Sequence, residues 1–434
     1  MCYTTPVMLS LDFICQYPQV VREALRQRRD TRNIDEILRL AEQRRGLMTR
    51  QEGLYASLKQ AKEAERSAPV EKRSALSQQI KAIAQDIRRI ELQSSDVDTR
   101  LQLLLLSLPN LPQQSVPEGN DQGDDQEIGR WREAISFHFE PQAHWDLGER
   151  LGMIDVPGGA KIAGSRFVML KGMGARLERA LISFMLDTHT REHGYTEVMP
   201  PHLVKRSVMI GAGQLPRFEE QAYACSADEL FLNPAAEVPL VGLHSDSILN
   251  REELPLRYVA WTTAFRREAG SVSHQNRGLL RLHQLNNVEL FQIVVPEESN
   301  DAIEHMVFHA ERILRLLELP YRVVAVCSGK LPFASARTID LEVWMPGTES
   351  YVEVSSISNC EAFQARRASI KFRPRNTGRA EYVHTLNALG LAVSRTMAAI
   401  LEIYQQADGS VIVPKVLRPY MGTSQLSLSR MELK

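Results

Sequence analysis

No apolar run in this chain approaches the ~20 residues that a membrane-spanning helix needs, so the sequence holds no candidate span and a membrane role is not expected. The start, MCYTTPVMLSLDF, carries neither a basic segment leading into an apolar one nor an Arg- and Ser-rich amphipathic leader, so no targeting address is read there. Cysteine is scarce and unpaired in spacing: Cys2, Cys15, Cys225, Cys327 and Cys360 form no CxxC pair and no metal-ligand pattern. Together these point to a cytoplasmic, reduced protein without disulfides. Neither sign of charge dominates, since the net is −1, and no internal repeat or low-complexity tract stands out beyond a heptad pattern. The 434 residues, 44 % hydrophobic and 24 % charged, suffice for one large domain with a sizeable core and a smaller companion.

The near-zero net charge conceals an uneven distribution. Between Arg22 and Arg89 stand 17 Lys or Arg against 10 Asp or Glu, leaving 35 against 43 elsewhere. This basic excess coincides with the heptads. After an amphipathic helix within residues 11–29, Asn33 or Asp35 is a candidate helix cap. Apolar Leu40, Leu47, Leu54 and Ala61 then recur every seven residues. Ser67-Ala68-Pro69 breaks the pattern. Leu76, Ile80, Ile83, Ile87, Ile90, Ser94, Val97, Leu101, Leu104 and Leu108 follow in steps of four and three. Two such helices joined by a short turn run antiparallel. At ~1.5 Å per residue they form a hairpin roughly 45–55 Å long. Two uses satisfy the pattern: a scaffold or dimerisation coiled coil, or a basic arm that grips A-form RNA by charge and shape.

Residues 108–127, LPNLPQQSVPEGNDQGDDQE, are rich in Pro, Gly and acid and read as a linker. The expected division is an arm over 1–110, a linker over 111–130 and a mixed α/β domain over 131–434. A strand near Phe167–Met169 and a long helix bearing Leu177, Leu181, Phe184 and Met185 open that domain. Its chemistry concentrates in YVAWTTAFRREAGSVSHQNRGLLRLHQLNNVE, residues 258–289. Here one apolar strand ends in Arg266 and Glu268, which share a face if the strand continues through them. A loop with Gly270, Ser271, Ser273, Arg277, Gly278 and Arg281 follows. A second strand then carries His283, Leu285 and Glu289 on one face. Such a row of charge is costly if buried unpaired and suits a nucleotide, with guanidinium forks for phosphate and a carboxylate for an amino group.

FRREAGS, RGLLRLHQ and VEL resemble motif 2 of class II aminoacyl-tRNA synthetases in the form found in seryl-tRNA synthetases. The resemblance extends over residues 8–422. GYTEVMPP with its prolines 200 and 201 resembles motif 1, and residues 384–422, from HTLNALGLAVSRT to VPKVLRPY, resemble motif 3. MLSLDF at Met8 is similar to the usual family start, so translation is expected to begin at Met1 or Met8. The resemblance implies an α+β chain: an N-terminal antiparallel helical coiled-coil arm, then a class II catalytic domain of antiparallel β-sheet flanked by helices. It also implies a homodimer formed through motif 1, and an arm that holds the long variable arm of serine tRNA.

The implied reaction is a ligation of serine to tRNA through seryl-adenylate, with ATP and Mg2+. By match, Arg266 holds the α-phosphate, Glu268 the adenine amino group and Arg395 the γ-phosphate, with Leu285 over the adenine. Glu353 and Ser356 fall on the family's magnesium and ATP ligands. Ala235, Glu237, Glu289, Asn387 and Leu389 fall on the amino-acid pocket. Four positions depart from the pattern. Ala235 replaces threonine, Leu285 phenylalanine and Ile357 cysteine, and Asn387-Ala388-Leu389 stands where the family has Asn-Gly-Ser or Asn-Gly-Thr. Ala235 and Leu389 bear on the amino acid itself. They leave two further readings open: a paralogue of altered amino-acid specificity, or a non-catalytic RNA-binding or partner protein that retains the fold.

Overall fold

The computed structural model describes residues 10–268, 277–375 and 378–427. Met8 and the loop residues Gly270, Ser271 and Ser273 lie outside them. The chain divides into two compact units, Met1–Pro109 and Asn110–Lys434.

The first unit is a helical hairpin. Helices α1 (Asp35–Ser67) and α2 (Val70–Ser107) are separated by Ala68 and Pro69 alone. Asn33 Oδ1 accepts the N–H of Asp35 at 2.9 Å, while Ile34 holds the cap position itself. The expected heptads form the seam, with Leu40, Ala61, Ile87, Ile90, Val97 and Leu101 buried. Cross-hairpin pairs fix the antiparallel register: Arg100 with Glu36 at 2.9 Å, Arg44 with Asp98 at 2.6 Å, and Tyr55 donating to Glu91 at 2.8 Å. Two short helices, Leu11–Gln16 and Pro18–Gln27, close the base over Ile14, Val21, Leu25 and Ile34. A narrow seam leaves the remaining faces in water, and Arg45, Arg50, Lys62, Arg66, Lys81 and Arg88 are exposed there.

The second unit is built on an eight-stranded sheet. In chain order its strands are β1 (Gln126–Trp131), β2 (Thr196–Glu197), β3 (Leu256–Phe265), β4 (Gln284–Val294), β5 (Tyr321–Ala325), β6 (Arg337–Met345), β7 (Ser350–Glu361) and β8 (His384–Ala392). Their spatial order is β1-β5-β6-β7-β8-β4-β3-β2, antiparallel throughout except for β2 beside β3. Helices α3 (Met173–Glu192), α4 (Ser299–Leu316) and α5 (Val393–Ile403) bury their apolar stripes in one core with Val288, Leu290, Leu341, Val354, Leu386 and Leu391 of the sheet. The architecture is therefore the expected α+β one. Among the described residues, no helix is long and apolar enough to cross a membrane.

The sequence reading and the structure differ at four places. Residues 111–130, read as a linker, are tied into the second unit. There β1 pairs with β5, and the Gln113 N–H donates to the carbonyl of Ala336 at 2.8 Å. Strand β3 stops at Phe265, so Arg266 and Glu268 do not share a strand face; Glu268 lies in the left-handed region at φ 48°. The second strand starts at Gln284, leaving His283 in the loop, where its ring stacks on Phe167 at 5.2 Å. The short strand expected near Phe167–Met169 is Met169–Leu170.

Candidate active site

One cavity of about 450 Å3 opens where β4, β7 and β8 meet the loops that precede Glu237 and follow Leu331. Strand alternation decides which side chains reach it. On β7, Ser356, Ser358 and Cys360 line the wall, whereas Ile357 between them is fully buried in the core. The Ile357 departure therefore faces away from the site. Nine of the residues singled out in the sequence line this cavity: Ala235, Glu237, Arg266, Glu268, Glu289, Glu353, Ser356, Asn387 and Leu389. Leu285 does not; it is half-buried and packs against the core. Nor does Arg395, which stands in the first turn of α5. Its guanidinium donates to the Glu353 carbonyl at 2.8 Å and pairs with the Glu353 carboxylate at 3.0 Å.

Two carboxylates face each other at one end. Glu289 is 4 % exposed, and its Oε2 accepts the backbone N–H of Glu237 at 3.1 Å. The Asn287 amide donates to its Oε1 at 3.1 Å. The Glu237 carboxylate accepts from the amides of Gln214 and Gln364, each at 3.4 Å. Gln364 is held in turn by the Thr385 hydroxyl, which donates to it at 2.7 Å. Enclosure by protein and the facing Glu289 push Glu237 up to about 7, and burial raises Glu289 while Arg266 opposes. Two acids raised by desolvation, Glu237 also by its neighbour's charge, mark a place short of one cation.

Leu389 borders this end. It stands opposite Glu289 in the β4–β8 register, beside a bulge in which Gly390 is the extra residue. A Cβ on Gly390 would lie 3.1 Å from the His189 ring and 3.2 Å from the Val288 carbonyl, so a side chain at the bulge would be tightly packed. Ala235 adds a methyl group to the same cavity.

Cationic and hard-oxygen groups gather elsewhere along the wall. Arg266 spends its Nε on the Pro234 carbonyl at 3.0 Å, which orients the fork. Arg281 pairs with Glu268, and Arg166 donates to the Glu268 carbonyl at 3.0 Å. Glu353 and Ser356 present a carboxylate and a hydroxyl to the cavity. Beside Ser356, Asp340 is buried with Oδ1 unpaired, and burial together with Glu353 lifts its carboxyl well above the usual range. Among the described residues no three His, Cys, Asp or Glu form a metal cage. Two hard oxygen ligands beside an uncompensated carboxylate fit a magnesium ion that takes its remaining ligands from phosphate and water.

Gln214 and Phe333 were not singled out in the sequence. Both come from separate loops or turns without local patterning, and only the fold brings them together. Arg281 was noticed only as one of several loop cations.

This sheet with its charged cavity is that of a class II aminoacyl-tRNA synthetase: the description "tRNA synthetase class II core domain (G, H, P, S and T)" matches residues 221–404. "Seryl-tRNA synthetase N-terminal domain" matches residues 8–112. The serine–tRNA ligase of Geobacillus kaustophilus is 50 % identical over 433 residues, 96 % of this chain and 99 % of that one. The serine–tRNA ligase of Pseudothermotoga lettingae is 48 % identical over 424 residues, 96 % of this chain and all of that one. The crystal structure of seryl-tRNA synthetase from Pyrococcus horikoshii complexed with ATP superposes with a TM-score of 0.92 at 35 % identity, covering 98 % of this chain and 100 % of that one. The chain belongs to the seryl-tRNA synthetase family.

Proposed function

We propose that this aminoacyl-tRNA ligase activates serine with ATP and transfers it to serine tRNA, working as a homodimer. In the first step a serine carboxylate oxygen attacks the α-phosphorus of ATP and pyrophosphate leaves. In the second, the terminal ribose hydroxyl of the tRNA attacks the acyl carbon and AMP leaves. No side chain acts as a nucleophile, so the site works by positioning and by stabilising charge.

The observation that carries this reading is the division of one cavity into an acidic end, with Glu237 and Glu289, and a wall bearing Arg266, Arg281, Glu353 and Ser356. The paired acids take the serine ammonium, and Glu289 also reaches its hydroxyl. Arg266 takes the α-phosphate. The adenine amino group takes Glu268 from Arg281, which turns to the phosphates; Arg395 leaves Glu353 for the γ-phosphate. Leu285, expected over the adenine, packs against the core instead, so the adenine goes without the stacking that an aromatic ring would supply, worth roughly 0.5–1.5 kcal/mol. Glu353 and Ser356 would hold Mg2+, which neutralises phosphate charge when bound. Asn387, Ala235 and Leu389 shape the space around the serine side chain.

The exposed arm cations support tRNA binding by charge. The 75 % exposed Met199, next to Pro200 in the motif 1 segment, supports pairing of two subunits there. ATP-dependent charging of serine tRNA with labelled serine tests the reading. An alkali-labile ester on the tRNA, lost in Arg266→Ala, is the expected result. Absence of charging with every serine tRNA supplied contradicts it. Ala235 and Leu389 favour one second reading, a small amino acid other than serine, because neither side chain offers a hydroxyl group a partner.

A further inference from the structure

Three backbone segments come together behind the cavity. Residues 110–113 run alongside 333–336: the Asn110 N–H donates to the Phe333 carbonyl at 2.9 Å, and the Gln113 N–H to Ala336 at 2.8 Å. Ala336 donates in turn to Asn359 near the end of β7, at 2.8 Å. The middle segment carries Phe333 and Ala334, and the β7 end carries Cys360; all three line the cavity. The wall is therefore a loop held between a strap and a strand.

Asn110 joins all three. It is 1 % exposed, and its side-chain amide donates to the Ala334 carbonyl and to the Cys360 carbonyl, each at 2.9 Å. Its Oδ1 accepts the N–H of Leu111 at 2.9 Å, which fixes the plane of the amide. Two N–H bonds at a set angle then hold the two carbonyls at a set separation. Cys360 lies at the acidic end. Asn387 donates to its thiol at 3.4 Å, and burial, with the Glu237 carboxylate, raises that thiol. Gln113 braces the same strand end through Glu361 at 2.7 Å.

We propose that Asn110 is a positioning residue for amino-acid binding: it sets the spacing between the Ala334 loop and Cys360, and through it the width of the acidic end. It touches no substrate and stands apart from the ATP ligands. Its loss therefore widens the amino-acid end and leaves two buried carbonyls without donors, while the wall near Arg266 and Glu353 keeps its own supports. The proposal rests on the assignment of the Glu237–Glu289 end to the amino acid.

The test uses the full chain in serine-dependent exchange of pyrophosphate into ATP, comparing Asn110→Ala, Asn110→Ser and Glu289→Gln with the parent. Asn110→Ala is expected to raise the serine KM about tenfold and to leave the ATP KM within about twofold. Asn110→Ser, which keeps one donor, is expected to fall between; should the alanine variant fail to fold, this value decides alone. Serine and ATP KM rising together, or a serine KM that does not move, overturns the positioning role and leaves Asn110 a general packing residue. Glu289→Gln separates the two levels. If it raises the serine KM while the Asn110 variants do not, only this proposal falls. If it leaves the serine KM unchanged, the assignment of the amino-acid end falls.

Discussion

Glu237 and Glu289 repel each other until a cation lies between them, and this sets how amino-acid binding varies with pH. Burial and Glu289 raise Glu237 to about 7, so its proton is held more tightly in the empty folded site than in the unfolded chain. The contribution to folding is present at low pH and is lost as pH rises through 7. Binding runs the other way: the amino-acid ammonium needs the carboxylate ionised. The serine KM should therefore be lowest above pH 7 and about tenfold higher per unit below it, with the ATP KM nearly flat. A serine KM independent of pH between 6 and 8 would contradict the pairing. Leu389 and Ala235 act at the same end. Each missing hydrogen bond to a small polar substrate is worth roughly 0.5–1.5 kcal/mol. Ala235→Thr with Leu389→Ser should thus lower the serine KM by about 10–100-fold and leave that for ATP nearly unchanged. No gain from the double variant would show that neither position reads the hydroxyl.

At the scale of elements, the arm and the sheet divide the work. The arm's seam consumes its apolar residues, and the exposed Arg45, Arg50, Lys62, Arg66, Lys81 and Arg88 remain for an RNA backbone. Deleting residues 34–107 should abolish tRNA binding and leave adenylate formation nearly intact, since every cavity-lining residue belongs to the second unit. In the intact chain tRNA affinity should fall steeply with salt. Unchanged tRNA affinity after the deletion would make the hairpin a scaffold. These elements were also the most legible. A heptad registers in the sequence because each position repeats one environment. The elements misjudged were those decided by distant partners. Strand β3 ends before Arg266 although its sequence continues without a break, and the Arg267 N–H turns aside to the Gln221 carbonyl at 3.0 Å. The segment 111–130 has a linker's composition, yet its backbone finds partners in β5 and at the Ala336 carbonyl. Gln214 and Asn110 carried no local signal of their own. Each matters through a residue more than twenty positions away.

The whole molecule is expected to be a dimer, because Met199 and Leu203 expose apolar surface that a single chain leaves in water. Light scattering at micromolar concentration should report twice the 49.1 kDa chain mass. A monomer would count against a motif 1 interface. The central claim is that one cavity still joins an amino acid to ATP despite Ala235 and Leu389. It is tested most directly by pyrophosphate exchange into ATP measured separately with each of the twenty amino acids. The account predicts exchange with serine, at a raised KM, and little with the others. Exchange driven best by another small amino acid would shift the substrate and keep the site. No exchange with any of the twenty would contradict the account and leave a fold that binds RNA without activating an amino acid.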